Sequence, residues 1–162
     1  MWWRWALSIL TLVSTGQGQN LVTQVCSKDM TYTDIGTNAN AIIGGIYDMR
    51  ESGTGKFGCG AVIRDLIQVL EASRFTISTL NTANYVPGVT FGMRVYDTCQ
   101  KKSVALKALQ ELYPQTTARN PFCSQSNNLI LGSVGPLSSS TAVVAADYAS
   151  SIPTSLITPR AA

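Results

Sequence analysis

The sequence predicts an α/β fold in which a parallel sheet carries helices on both faces. Segments rich in β-branched residues alternate with longer segments whose apolar residues recur at three- and four-residue steps. The predicted order is therefore β-α-β-α-β-α-β, and strands that alternate with helices form parallel sheets with right-handed crossovers. Residues 129–134 are apolar without alternation, as expected of a parallel strand buried on both faces. The 162 residues suffice for one domain at most.

The first half of the chain supplies two strands and the longest helix. Ile42, Ile43 and Ile46 give the first strand its β-branched bulk. The helix is predicted over 61–81, because its apolar residues form one stripe and its charged residues mostly lie off that stripe. Pro87-Gly88 forms a turn before the second strand. We predict these strands over 41–49 and 90–98.

The second half repeats the strand and helix pattern. A helix over 102–113 ends where Pro114 follows it. The strand over 129–134 ends at Gly135-Pro136. Ser138, Ser139 and Ser140 are then candidate N-caps for a helix over 139–150. The last strand is predicted over 154–158.

The N-terminal residues predict a secretory signal peptide. Arg4 precedes an apolar run over 6–13 that is too short to span a bilayer, and Gly16 and Gly18 suit cleavage. We expect a signal peptide over 1–18, a polar N-terminal arm over 19–40 and a folded unit over 41–162. No later stretch is apolar enough to cross a membrane, so the sequence as written predicts an exported, soluble product.

The composition argues against several classes of function. The chain has no histidine, which excludes a His-dependent catalytic triad and a His-ligated metal. Its net charge of +3 comes from scattered basic residues and predicts no nucleic-acid partner. The glycine-rich loop predicted over 50–60 lacks phosphate-loop order, because Phe57 follows Lys56. The sequence has no GxSxG motif, and the glycines over 53–58 do not directly follow the first strand as a dinucleotide-binding loop would, so we predict neither an enzyme nor a cofactor.

Four cysteines should form disulfides if the chain is exported. They are Cys26, Cys59, Cys99 and Cys123. None has the CxxC spacing typical of zinc sites, and their spacing leaves three pairings open.

Polar loops are predicted to meet at the carboxyl edge of the sheet, where such sheets bind ligands. They are 48–56, 97–101 and 137–140, with the segment 158–162 as a fourth. Ser138 to Ser140 open a helix whose N–H groups and partial positive charge suit a carboxylate or another small anion. Simple helix capping is the alternative role of these serines.

Five motifs carry a family resemblance: Leu70-Glu-Ala, Pro87-Gly-Val-Thr-Phe-Gly, Tyr96-Asp-Thr-Cys, Ala105-Leu and Gly132-Ser-Val-Gly-Pro-Leu-Ser-Ser-Ser. Together they resemble the extracellular ligand-binding domain of class C G-protein-coupled receptors, nearest the metabotropic glutamate and calcium-sensing receptors. The resemblance implies a two-lobed Venus flytrap of the periplasmic-binding-protein type. It runs over 41–162 and covers the first half of lobe one, so we expect a fragment or a short form.

The resemblance also implies disulfides. Cys59 and Cys99 match the intralobe disulfide of the family. Cys123 lies where these receptors often carry a cysteine that bridges two protomers, and an intrachain bond between Cys26 and Cys123 is the competing interpretation.

For the ligand, the resemblance implies that Ser138, Ser139 and Ser140 hold the α-carboxylate of an amino acid, with Ser139 as the best match. Thr158 matches a Ser/Thr-rich segment that supplies further contacts, whereas Pro159 and Arg160 depart from it. Val69 stands where glutamate-binding members carry an arginine. Glutamate is therefore disfavoured, and a neutral amino acid is more plausible.

The full-length receptor implied by this resemblance sits in the cell membrane, forms a homodimer and signals through a G protein. Two other receptor classes share the flytrap, namely natriuretic-peptide-type guanylate cyclases and ionotropic glutamate receptors. A secreted, truncated decoy is a further alternative.

Overall fold

The structure is a computed structural model, and it describes residues 30–36, 38–56, 58–113 and 129–159. Within these ranges the elements, in chain order, are β1 (Tyr32–Ile35), β2 (Ala41–Tyr47), β3 (Arg50–Ser52), β4 (Cys59–Val62), α1 (Arg64–Thr82), β5 (Phe91–Asp97), α2 (Lys102–Leu112), β6 (Leu129–Val134), α3 (Ser139–Ser150) and β7 (Leu156–Ile157). None of the three described helices has the length and hydrophobicity that crossing a membrane requires.

The main sheet has five strands in the order β1-β5-β2-β6-β7. Strands β5, β2, β6 and β7 are parallel, and β1 adds an antiparallel edge beside β5. The central strand β2 pairs along its whole length with β5, from Ala41 opposite Phe91 to Tyr47 opposite Asp97. The predicted α/β fold with a parallel sheet is confirmed, except that the edge strand β1 is antiparallel.

Two apolar cores lie on opposite faces of this sheet. Successive strand residues point to opposite faces, so Tyr47 and Val95 pack with α1 residues such as Leu66. Their neighbours Ile46 and Tyr96 pack on the other face with residues of α2 and α3. The predicted coverage of both faces is therefore confirmed for β2 and β5, whereas the predicted burial of β6 on both faces was wrong, because Leu129 and Leu131 are exposed.

The connections place a topological switch point beside β2. Helix α1 leads from β2 to β5 on one side, whereas α2 leads back across to β6 on the other side. The chain therefore continues in opposite directions along the sheet after β2 and after β6, and the carboxyl edge at such a switch point is where open α/β sheets bind ligands.

The edge strand β1 was not predicted and lies in the segment assigned to the polar arm. Only Ile35 among its four residues is buried, so no apolar alternation marks the strand. Side chains hold it to β5: Arg94 Nε lies 2.9 Å from Asp34 Oδ1, and its guanidinium lies 4.4 Å from the centre of the Tyr32 ring. Strand prediction from the alternation of apolar residues therefore does not detect a polar edge strand of this kind.

The glycine-rich loop predicted over 50–60 is shorter in the structure, because strands occupy both of its ends. Strands β3 and β4 form an antiparallel pair there, and Gly53 N–H donates to Gly58 O at 3.1 Å. Because β4 extends to Val62, α1 begins at Arg64, later than predicted.

A disulfide fastens this hairpin to the loop after β5. Cys59 and Cys99 are bonded, with their Cα atoms 5.2 Å apart, as the family resemblance implied. Lys101 Nζ adds a bond of 2.8 Å to Gly53 O. Cys26 and Cys123, the signal peptide and Arg160 lie outside the described residues, and β7 covers only two residues of the predicted strand over 154–158.

Tyr96 should make the fold sensitive to alkaline pH. Desolvation by burial raises the pKa of Tyr96 to about 12, against about 10 in an unfolded chain. The folded state favours the neutral phenol, so this stabilisation is complete below about pH 10 and is lost as pH rises through about 12. At about 1.4 kcal/mol per pKa unit, a rise of two units corresponds to a loss that approaches roughly 3 kcal/mol.

We therefore expect Tyr96→Phe to flatten the decline in the free energy of unfolding between about pH 9 and pH 12, measured by urea denaturation. Tyr85→Phe is the matched control, because the Tyr85 ring is exposed. An unchanged decline in Tyr96→Phe would show that this phenol does not cause it.

Candidate functional site

The carboxyl ends of the parallel strands gather four segments at one edge of the sheet. Backbone hydrogen bonds connect them: Thr98 N–H donates to Tyr47 O at 2.7 Å, and Gly135 N–H donates to Ile157 O at 2.8 Å. The candidate site lies on residues 135–140, which we call the serine loop. It connects β6 to α3 beside the switch point.

The serine loop begins in a conformation that requires glycine. Gly135 has a φ of +98°, and a side chain there would meet the backbone of Ile46 in β2. The Gly135–Pro136 peptide is cis. Gly135, Pro136 and Leu137 are buried, so the loop is anchored on the end of the sheet before its serines emerge.

The three serines occupy different positions at the start of α3. Ser138 is the N-cap residue and is extended, with φ −101° and ψ 141°. Its hydroxyl oxygen lies 2.6 Å from Thr141 Oγ1 and does not cap a backbone N–H group. Ser139 and Ser140 form the exposed first turn of the helix. The predicted capping position of Ser138 is confirmed, but the hydroxyl is used differently.

A completely buried carboxylate lies beneath this loop. Asp48 Oδ2 accepts hydrogen bonds from Leu137 N–H at 2.9 Å and from Ser138 N–H at 2.8 Å. Its other oxygen accepts from the Thr98 hydroxyl, and the Thr141 hydroxyl lies 3.3 Å away. This Asp48 cluster joins the ends of β2 and β5 to the start of α3.

Sequence reasoning assigned no site role to Asp48, Thr98 or Thr141, although Thr98 lies in the Tyr96-Asp-Thr-Cys motif. A signal was present, because Asp48 and Thr98 directly follow apolar strands that end at the ligand-binding edge. Thr141 gave no such signal, since a threonine in the first turn of a helix is unremarkable in sequence.

A second acidic group organises the hairpin side of the edge. Asp97 Oδ1 accepts from the N–H groups of Met49 and Cys99, each at 3.0 Å. Asp97 Oδ2 lies 2.7 Å from Arg50 Nε. A cavity of about 260 Å³ adjoins this pair, and its lining includes Tyr32, Met49, Leu70 and Val95.

The same corner contains the one cluster among the described residues with three potential metal ligands, namely Cys59, Asp97 and Cys99. The two sulfur atoms are bonded to each other, so neither is a thiolate, and Asp97 is paired with Arg50. These residues do not fit a metal centre.

The structure brings the predicted ligand residues to one edge. Ser138 is half-buried, and Thr158, also half-buried, directly follows β7. Because β6 and β7 are adjacent and parallel, the serine loop and Thr158 leave the sheet side by side. Their role in binding stays a prediction.

Comparisons with known proteins agree with the resemblance seen in the motifs. Residues 68–161 match the family described as receptor family ligand binding region. A metabotropic glutamate receptor of Drosophila melanogaster is 36% identical over 67 residues, which cover 40% of this chain and 7% of that receptor. The family match includes β5, the serine loop and Thr158.

Proposed function

The chain belongs to the family of receptor ligand-binding regions, and we propose that it forms part of the extracellular ligand-binding region of a class C G-protein-coupled receptor. The proposed ligand is an amino acid or a similar small molecule. Similarity to a metabotropic glutamate receptor favours this class over the guanylate cyclase and ionotropic receptors.

One observation carries the proposal: the serine loop opens a helix at the switch point of the sheet. Ser139 and Ser140 are exposed in the first turn of α3, where N–H groups and the helix dipole favour negative charge. A ligand carboxylate can accept hydrogen bonds from serine hydroxyls at this position. Thr158 lies beside the loop and supplies a further hydroxyl.

The character of α1 supports a ligand with a neutral side chain. Val69 is partly buried and packs against the core on the α1 face of the sheet. An apolar side chain there cannot form the bidentate hydrogen bonds with which an arginine binds a second carboxylate. We therefore propose a neutral amino acid in preference to glutamate.

The division of the chain into segments and its place in a full-length receptor are also proposed. A signal peptide over 1–18 would direct the chain into the secretory pathway, followed by an arm over 19–40 and a partial ligand-binding domain over 41–162. In a full-length receptor this unit would lie outside the cell membrane, belong to a homodimer and act on a G protein through a membrane region. The alternative is that the chain is a secreted short form, which acts as a decoy.

Ser139→Ala tests the role of the serine loop. We expect its affinity for neutral L-amino acids to fall about tenfold, because a hydrogen bond to a charged group contributes roughly 1.5–3 kcal/mol. Titration calorimetry or ligand-observed NMR can measure the loss.

Ser150→Ala is the matched control, since Ser150 is an exposed serine at the opposite end of α3. It should leave the affinity unchanged. Equal affinity for Ser139→Ala and the unaltered chain would contradict a ligand role for Ser139.

A further inference from the structure

Asp48 places a negative charge where the serine loop would otherwise offer free amide groups. Its carboxylate is fully buried, and Oδ2 accepts from the N–H groups of Leu137 and Ser138 at 2.9 and 2.8 Å. These residues immediately precede the first turn of α3. The anion-binding end of the helix is thus partly occupied by a carboxylate of the protein itself.

The charge of Asp48 is met by dipoles and not by a cation. Its partners are two amide N–H groups and the hydroxyls of Thr98 and Thr141. The ion pairs found among the described residues involve Asp34, Glu71 and Asp97, and none involves Asp48. A dipole-stabilised charge in a buried site still acts on its surroundings, because little water is present to screen it.

A ligand bound to Ser139 and Ser140 would interact electrostatically with the Asp48 carboxylate. Both serines are within two residues of Ser138, whose N–H group donates to Asp48. Two negative groups at one helix terminus repel each other, which disfavours a ligand that brings only a negative charge. A zwitterion also brings an ammonium group, and its attraction to Asp48 offsets that repulsion.

We propose that Asp48 is the resident anion of the serine loop and makes it select ligands of zero net charge over ligands of net negative charge. Asp48 acts through Ser138 and the first turn of α3, so it is a positioning and specificity-determining residue. This inference rests on the proposed function for its natural ligand, but its electrostatic part can be tested without one.

The test compares two probes, L-alanine as the zwitterion and inorganic sulfate as the anion. Each is titrated into the full chain, and the backbone amide signals of Ser139 and Ser140 are followed by NMR. In Asp48→Asn the affinity for sulfate should rise on the order of tenfold relative to the affinity for alanine, because the buried charge is gone. A purely structural role for Asp48 would lower both affinities together.

Two controls separate charge from packing. Thr98→Val removes a hydroxyl that donates to Asp48 and keeps the charge, so the ratio of the two affinities should not change. Asp147→Asn removes an exposed carboxylate from the same helix and should also leave the ratio unchanged. An unchanged ratio in Asp48→Asn would overturn the inference.

If Asp48→Asn does not fold, the affinities of the unaltered chain for two probes provide a second test of the inference. L-Alanine and propionate differ by the ammonium group, and alanine should bind at least tenfold more tightly. Measurable binding of both probes with equal affinity would overturn the inference. If alanine does not perturb the serine loop while sulfate affinity rises in Asp48→Asn, the proposed amino-acid function fails and the role of Asp48 stands.

Discussion

Gly135→Ala should be the most damaging single substitution on the ligand-binding edge, with a loss of at least about 3 kcal/mol in the free energy of unfolding. A Cβ atom at Gly135 would lie far inside van der Waals distance of the Ile46 carbonyl oxygen and 2.9 Å from its carbon. Both atoms belong to the central strand β2, which is paired on both sides and cannot move away. The φ of +98° adds the backbone strain of a non-glycine residue.

Gly88→Ala separates these two costs. Gly88 also has a positive φ, of +78°, but a side chain there would meet nothing within 4 Å. Its substitution should cost only about 1 kcal/mol, which is the strain alone. Urea denaturation of both variants measures the difference, and equal losses would show that the contact with Ile46 does not fix the loop.

Removal of the disulfide by Cys59→Ala with Cys99→Ala should cost about 4 kcal/mol, an upper figure for a bond that closes a loop of 40 residues. The entropy of the unfolded chain accounts for most of this expectation. The disulfide also connects the β3–β4 hairpin to the end of β5, so its loss should release the hairpin before the rest of the sheet. Hydrogen exchange should therefore quicken first between Arg50 and Val62.

The unaltered chain under reducing conditions is the matched control, because it loses the bond and keeps both side chains. Its midpoint of urea denaturation should fall to that of the double variant. A decrease of less than about 1 kcal/mol in the free energy of unfolding, in the double variant or in the reduced chain, would contradict a stabilising role for this disulfide.

The parallel sheet was predictable because its central strands are apolar on both faces. The bounds of β6 and α3 agree with prediction, since Gly135-Pro136 and the serines mark the junction unambiguously. The edge strand β1 was not predicted, because Tyr32, Thr33 and Asp34 leave it without an apolar face. The β3–β4 pair was not predicted, because its strands are short and are held by the disulfide from Cys59 to Cys99, 40 residues away.

The candidate site was predictable only as a set of loops at one edge. The serine loop could be located from its strand-turn-helix pattern. The burial of Asp48 could not, because an aspartate after a strand is usually solvated. Its partners Thr98 and Thr141 are 50 and 93 residues away, and only the strand order brings them together.

The most direct test of the central claim is to map where a neutral amino acid binds on the isotopically labelled chain. Titration with L-alanine should shift the amide signals of Ser138 to Ser140 and of Thr158, and Ser139→Ala should weaken these shifts. Shifts confined to the cavity lined by Tyr32, Met49 and Leu70, or no shifts at millimolar alanine, would contradict a ligand site on the serine loop.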